Sequence, residues 1–320
     1  MPNNSTRVLT STAVEDVALK RNGDIKTCVP LATFPRRCLF SSDSSCRQSA
    51  STEGNIVNLE IKDVTLDNLA VGPVTARVYC GDEYGKGAPV LLYFQGGAFQ
   101  QTGIRDCPVA QCLAAIGAIV IVPDYNAPLG SAFPQSLEVG FQLFSHLAKK
   151  RAGFGDRKSL LLVGGEEAGG NVAAAISLKA RDHLANELDG QLLMSPLLDP
   201  FMGSASMRKA DEIGMREAWA SGWSHYLSAG VCHPYAAPSM CSRLAGVASA
   251  MTVTSADDPL LDEALGYAEK LKAGGVRSST TVLPAGVGWT SIYGGQTCQQ
   301  ARWQEDVSRD FNSFILHARI

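Results

Sequence analysis

Several features are scarce in this chain, and each shortage removes a class of function. No run of about 18 uncharged apolar residues occurs, so no membrane-spanning helix is expected. Basic residues are scattered rather than clustered. The 28 Lys and Arg face 31 Asp and Glu, giving a formal charge of −3, and the electrostatic footprint of a nucleic-acid binder is missing. The nine cysteines (28, 38, 46, 80, 107, 112, 232, 241 and 298) contain no CxxC pair, and the five histidines (146, 183, 225, 233 and 317) are equally dispersed. Finger-like zinc spacing is therefore absent, and free thiols with no metal are expected. His233 beside Cys232 is the one adjacent pair of potential ligands, and it reads as structural or surface. The opening segment MPNNSTRVLTSTAVEDVALKRNGD has no apolar core of the kind a secretory signal needs, so a reducing cytoplasm is the expected compartment. Neither a GK[ST] loop nor a GxGxxG turn in a βαβ start is present, and Asp257-Asp258 lacks the ligand spacing of a calcium loop. No cofactor is expected.

What is present is a large apolar content, 45% of 320 residues, enough to bury a substantial core. Residues 1–54 are polar, Ser-rich and poorly periodic, and read as an irregular arm or lid with short helices that contributes to a cap. From Ile56 the texture changes. NIVNLEIKDVTLD and TARVYC alternate like half-exposed strands. PVLLYF (89–94), AIVIVPDY (118–125) and SLLLVG (159–164) are continuous apolar runs with helix-like segments between them, the pattern of parallel strands covered on both faces. QLLMSPLL (191–198), AMTVTSA (250–256) and TTVLPA (280–285) add three more strands. The order is that of an open, doubly wound α/β sheet. A helical segment at about 200–235, carrying Trp219, Trp223 and Tyr226, reads as a cap insertion into a core spanning 55–320.

In such a sheet, function collects at the carboxyl ends of the strands. Three of these ends are unusual. LLYFQGGAFQQTG (91–103) pairs two glycines whose backbone N–H groups are free to face a ligand. LLVGGEEAGGNVAAAISLKA (161–180) runs from a strand through a Gly-flanked turn into an Ala-rich helix. VTSADDPLLDEALGYAEKLKAGGV (253–276) joins a strand, an acidic turn and a helix ended by glycines.

These motifs, in this order, resemble the hormone-sensitive-lipase branch of the α/β-hydrolases, which includes bacterial esterases, plant carboxylesterases and the gibberellin receptor. The likeness covers roughly residues 55–315 and implies a mostly parallel central sheet flanked by helices, with a small helical cap. Gln95-Gly96-Gly97-Ala98 stands where the family has its HGGG oxyanion motif. Asp124-Tyr125 with Ala127-Pro128 and Phe133-Pro134 matches the "DYRLAPE..FP" stretch, and His233-Pro234 with Ala237-Pro238 resembles HP..SP. Asp258-Pro259-Leu260 with Asp262 is similar to the DPLRD motif, whose first Asp is the catalytic acid.

The departures fall on the chemistry. In Gly165-Glu166-Glu167-Ala168-Gly169, Glu167 occupies the serine position of the G-x-S-x-G elbow. Trp289, in Gly286-Val287-Gly288-Trp289, occupies the histidine position, and Gln95 replaces the first oxyanion residue. Only Asp258 of the triad remains, and without a histidine to orient it is read as bonding loop amides or capping the next helix. Glu167 sits at a helix N-terminus, where an anion is favoured and its pKa would fall; burial would instead raise it. Nucleophilic attack by Glu167 would leave a trapped glutamyl ester, since no histidine is placed to activate water. Trp289 is expected to project into the former active site, narrowing it or closing it. Trp219, Trp223 and Tyr226 are read either as cap core or as pocket lining. Cys107 and Cys298 read as ordinary thiols.

The resulting expectation is a hydrolase-like protein without an intact Ser-His-Asp system. It binds a small, largely apolar ligand over Glu167, Asp258, Trp289 and an oxyanion cradle of Gln95, Gly96, Gly97, Ala98 and Ala168. The gibberellin receptor, which lacks the triad histidine and still binds, is the precedent in the resembled family. The alternatives are an enzyme with rewired lyase, cyclase, isomerase or atypical hydrolase chemistry using Glu167 as acid or base, and a protein-interaction module with a closed pocket. The implied partner is a small molecule rather than a nucleic acid or a membrane; the oligomeric state is left open, a dimer included.

Overall fold

Strands form where β-branched and aliphatic residues run uninterrupted. The computed structural model describes residues 46–52, 55–81, 84, 85, 87–230, 233–293 and 302–318. Its strands are β1 (Cys46–Thr52), β2 (Asn55–Leu66), β3 (Val74–Gly81), β4 (Val90–Phe94), β5 (Ile119–Pro123), β6 (Leu161–Glu166), β7 (Gly190–Pro196), β8 (Ala250–Ser255) and β9 (Ser278–Leu283). They make one sheet in the order β1-β2-β3-β5-β4-β6-β7-β8-β9. The first three strands pair antiparallel, as does β3 with β5, and β5 onward is parallel. Every residue of β4, β5, β6, β7 and β8 is buried, as expected of parallel strands covered on both faces.

The helices are α1 (Pro108–Ala115), α2 (Gln135–Lys149), α3 (Arg151–Phe154), α4 (Glu167–His183), α5 (Arg216–Tyr226), α6 (Leu261–Ala273) and α7 (Gln304–Ala318). Alternation along β4 divides the core. Leu91 and Tyr93 pack with residues of α1 and α7, whereas Val90, Leu92 and Phe94 pack with residues of α2, α4 and α6. Full burial of such side chains stabilises the fold by roughly 1.5–3 kcal/mol each.

One stretch of the N-terminal arm departs from expectation. Residues 46–52 are not irregular but form β1, paired in register with β2 from Cys46↔Ile61 to Thr52↔Asn55. The segment CRQSAST is mostly polar and has no apolar alternation, so a strand at the sheet edge does not stand out in the sequence. The rest of the arm, residues 1–45, lies outside the described residues, as do Cys28, Cys38, Cys232 and Cys298.

The segment at 200–235 contains a 3₁₀ turn at Ser206–Asp211 and helix α5. Trp219, Trp223 and Tyr226 fall at i, i+4 and i+7 on one face of α5, and all three are buried. They pack on the loop after β4: the Phe99 ring stacks on Tyr226 at 4.2 Å between centroids and meets Trp223 at 4.6 Å. The helix lies so close that a Cβ on Gly222 would stand 2.2 Å from the Ala98 carbonyl oxygen. Any side chain at 222 would lift the cap off the glycine loop.

Candidate functional site

The elbow between β6 and α4 is built from small residues because the backbones nearly touch. A Cβ on Gly169 would meet the Phe94 carbonyl oxygen at 2.0 Å, and one on Gly165 would meet the Gly169 carbonyl at 2.5 Å. Between these glycines the chain turns through Glu167 at φ 52°, a left-handed conformation that a non-glycine residue adopts only when its surroundings enforce it. The opposing loop is equally contorted, with Gly97 at φ 133°, Ala98 at φ 50° and Phe99 at φ 60°. Its amides therefore point inward.

The Glu167 carboxylate lies in that cradle. The Gly97 amide donates to Oε2, and the Ala98 amide donates to both carboxylate oxygens at 3.0 Å. The Ala168 amide also favours its charged form. A Cβ on Gly96 would come within 2.5 Å of Glu167 Oε2, so glycine at 96 is what lets the carboxylate settle. The side chain is fully buried, and burial raises its pKa despite these donors. Of the two electrostatic outcomes open from the sequence, burial prevails. Its neighbour Glu166 is buried as well; its Oε1 accepts from the Gly96 amide at 2.9 Å, and burial pushes it up to about 7.

Gln95 is a correction. Its side chain does not enter the cradle: Nε2 donates to the Arg105 and Asp106 carbonyls at 3.2 and 3.4 Å, and Oε1 accepts from the Arg105 amide at 3.1 Å. A carboxamide matches a backbone amide in both directions, so the 105–106 loop engages both its donor and its acceptor ends. Arg105 reaches back, donating through Nη2 to the Gly96 carbonyl at 2.9 Å.

In the turn after β8, Asp258 is fully buried and accepts three bonds. Ser195 donates to Oδ2 at 2.5 Å, while the Leu260 amide and the Tyr293 hydroxyl donate to Oδ1 at 2.7 and 2.6 Å. The bond from Leu260 is the loop amide expected from the sequence; the two hydroxyls were not anticipated. Burial outweighs all three donors and pushes Asp258 up to about 6. Trp289 heads a 3₁₀ turn after Gly288 and is 1% exposed. It packs edge-on against Trp303 at 5.4 Å, and its indole N–H donates to Ser195 Oγ at 2.8 Å. A chain of hydrogen bonds thus runs from Trp289 through Ser195 to Asp258. Ser195, at φ 41°, is the next-to-last residue of β7, and a serine following the apolar run Leu192–Met194 is the available signal.

The aromatic cap residues pack over Phe99 and Tyr293, with Trp219 6.1 Å from the Tyr293 ring. Two concavities, near α6 and near the end of α4, are lined by neither Glu167, Asp258 nor Trp289. One Ser–His hydrogen bond joins Ser131 Oγ to His225 Nε2 at 2.9 Å, but the pair is exposed, outside the buried cradle. His233 accepts from the Tyr235 amide through Nδ1, and no cluster of potential metal ligands exists among the described residues. Cys107 caps α1, and burial pushes its thiol well above its ordinary value, which leaves it unreactive. Among the described residues no helix is long and apolar enough to cross a membrane.

A family model described as alpha/beta hydrolase fold matches residues 91–287. Among characterised proteins, the chain is 28% identical over 254 residues to Esterase LipI of Mycobacterium tuberculosis, covering 73% of this chain and 77% of that protein. It is 29% identical over 231 residues to Carboxylesterase NlhH of the same species, covering 69% and 71%. Among solved structures, the esterase of Pyrobaculum calidifontis superposes with a TM-score of 0.66 at 26% identity, covering 81% of this chain and 86% of that one.

Proposed function

The chain belongs to the α/β-hydrolase-fold family, and from that premise we propose that it is a non-hydrolysing member whose oxyanion hole is filled by its own Glu167 side chain. The observation that carries this is the Glu167 carboxylate accepting the Gly97 and Ala98 amides. In an esterase of this type such amides must be vacant in the resting state, because their rate effect comes from donating to charge that develops on the substrate oxygen. Here a fixed carboxylate takes the oxyanion's place. Acyl transfer also requires a hydroxyl nucleophile and an imidazole that carries its proton. The corresponding positions hold Glu167, already engaged by the cradle, and Trp289, whose indole is a donor only. Attack by Glu167 on an ester would have to break its bonds to the cradle, and the glutamyl ester so formed would find no base to hydrolyse it.

The test is hydrolysis of p-nitrophenyl acetate and butyrate. The unaltered chain, Glu167→Ser and Trp289→His are each expected to be silent, and only the double variant to gain turnover, by at least about tenfold over background. Ester hydrolysis in the unaltered chain that disappears in Glu167→Gln would overturn the proposal in favour of acid, base or nucleophilic work by Glu167.

A second reading keeps the site as a binding pocket for a small, largely apolar ligand that enters when α5 lifts. It is favoured by the Trp223 indole N–H, which is buried without a partner and would gain one from a ligand acceptor. A ligand-dependent rise in melting temperature that Trp223→Phe reduces supports it; no rise across a panel of apolar esters and acids removes it.

A further inference from the structure

Three consecutive amides of the glycine loop bond two consecutive glutamates. Gly97 and Ala98 donate to Glu167, while Gly96 donates to Glu166 Oε1 at 2.9 Å. Gly96 is held at its carbonyl as well, because Arg105 Nη2 donates to it at 2.9 Å. A carboxylate and a guanidinium thus grip one glycine from its two polar ends. Each has bonding capacity to spare: Glu166 Oε2 and Arg105 Nε are both buried without partners.

The groups that face Glu166 come from several elements. They are Tyr93 on β4, Tyr125 after β5, Arg105 and Cys107 ahead of α1, and Glu167 at the start of α4. Burial pushes Tyr93, Tyr125 and Cys107 well above their ordinary values, so these three stay neutral. Arg105 is then a cation set against two buried carboxylates. Burial pushes Glu166 up to about 7, while the Gly96 amide and Arg105 favour its charge and Glu167 opposes it. The cost of burial is present whether or not Gly96 is bonded, so it sets where Glu166 titrates. The Gly96 bond sets what titration does. A hydrogen bond to a charged acceptor is roughly twice as strong as one to a neutral acceptor, so a proton taken up by Glu166 weakens the hold on Gly96.

We propose that Glu166 is a proton-sensitive brace for the glycine loop. Charged, it holds Gly96 and keeps the Gly97 and Ala98 amides closed on Glu167. Protonated, it slackens the loop and with it the grip on Glu167. The brace shares with the non-hydrolysing reading only the place of Glu167 in the cradle, and it operates whether or not the chain turns over esters.

The ¹⁵N amide shifts of Gly96, Gly97 and Ala98, recorded on the full chain from pH 5 to pH 9, test the proposal. All three are expected to move with a common midpoint of about 7. The transition should persist in Glu167→Gln and vanish in Glu166→Gln. Arg105→Gln separates a brace from a merely structural contact. Loss of the cation should raise the midpoint by at least about half a pH unit. A loop that only came apart would instead let water reach Glu166 and lower the midpoint toward 4.5. Should Glu166→Gln not fold, the direction of the shift in Arg105→Gln decides the matter. Flat shifts, a transition kept in Glu166→Gln or lost in Glu167→Gln, movement confined to Gly96, or a midpoint that falls in Arg105→Gln would overturn the proposal.

Discussion

Glu167 and Asp258 are both fully buried carboxylates, one just after β6 and one in the turn after β8, yet they are held in different ways. Glu167 takes its bonds from the backbone, the amides of Gly97 and Ala98, on a loop forced into left-handed conformations. Asp258 takes two of its three bonds from side-chain hydroxyls, those of Ser195 and Tyr293. The first carboxylate settles among backbone donors that a strained loop holds in place. The second is satisfied by two hydroxyls and the Leu260 amide, with Trp289 reaching it only through Ser195. Backbone donors cannot be mutated away, so at the first end only the carboxylate can be changed. At the second, each partner can be removed in turn.

The largest effect is therefore expected at Glu167. In Glu167→Ala the Gly97 and Ala98 amides lose their acceptor, at about 1–3 kcal/mol for each group left unsatisfied. Relief of the buried charge offsets part of this. Chemical denaturation should show a net loss of about 2–4 kcal/mol, and formate or acetate, which fit the vacated cradle, should restore some of it. An Ala variant as stable as the unaltered chain, with no response to formate, would mean that the amides never depended on the carboxylate.

The next effect is the pH dependence that both ends share. Asp258, Glu166 and Glu263 are pushed up to about 6, 7 and 8, from ordinary values of 3.8 for the aspartate and 4.5 for the glutamates. Between the ordinary and the raised values the folded chain keeps protons that the unfolded chain has released. Stability is therefore greatest in acid and falls as pH rises, by up to about 1.4 kcal/mol per pH unit for each such group. Melting temperature should decline from pH 5 to pH 8, and the decline should be shallower in Glu263→Gln. A flat profile would show that bonding to the charged forms cancels the cost of burial.

Much of this was legible from residue order. The apolar runs fall on β4 to β9, and Gly165-Glu166-Glu167-Ala168-Gly169 is the turn from β6 into α4. Short-range pattern sufficed there, because strand burial and tight turns are local demands. It failed where a side chain chooses among distant partners. Gln95 has the chemistry for a cradle but bonds the 105–106 backbone, and nothing in its neighbours signals that choice. Ser195 lies 63 residues from Asp258 and 94 from Trp289, so its bridging place emerges only once β7, β8 and the 286–292 loop are side by side. Glu166 carries no role in the sequence motif, although its carboxylate takes the Gly96 amide.

The smallest effect discriminates best between the two ends. Tyr293→Phe removes one hydroxyl from Asp258 and leaves the ring, so packing against Trp219 is kept. A hydrogen bond is worth about 0.5–1.5 kcal/mol to a neutral group and about 1.5–3 kcal/mol to a charged one. Losing this donor raises Asp258 further above about 6, so the variant sheds more stability than the unaltered chain as pH climbs. The stability difference between the two should be small at pH 5, where Asp258 is largely protonated in both, and approach 1–2 kcal/mol near pH 8. A difference that stayed constant with pH would mean that the hydroxyl bonds a neutral acid throughout, and the Asp258 end would then be as fixed in its protonation as its surroundings are in shape.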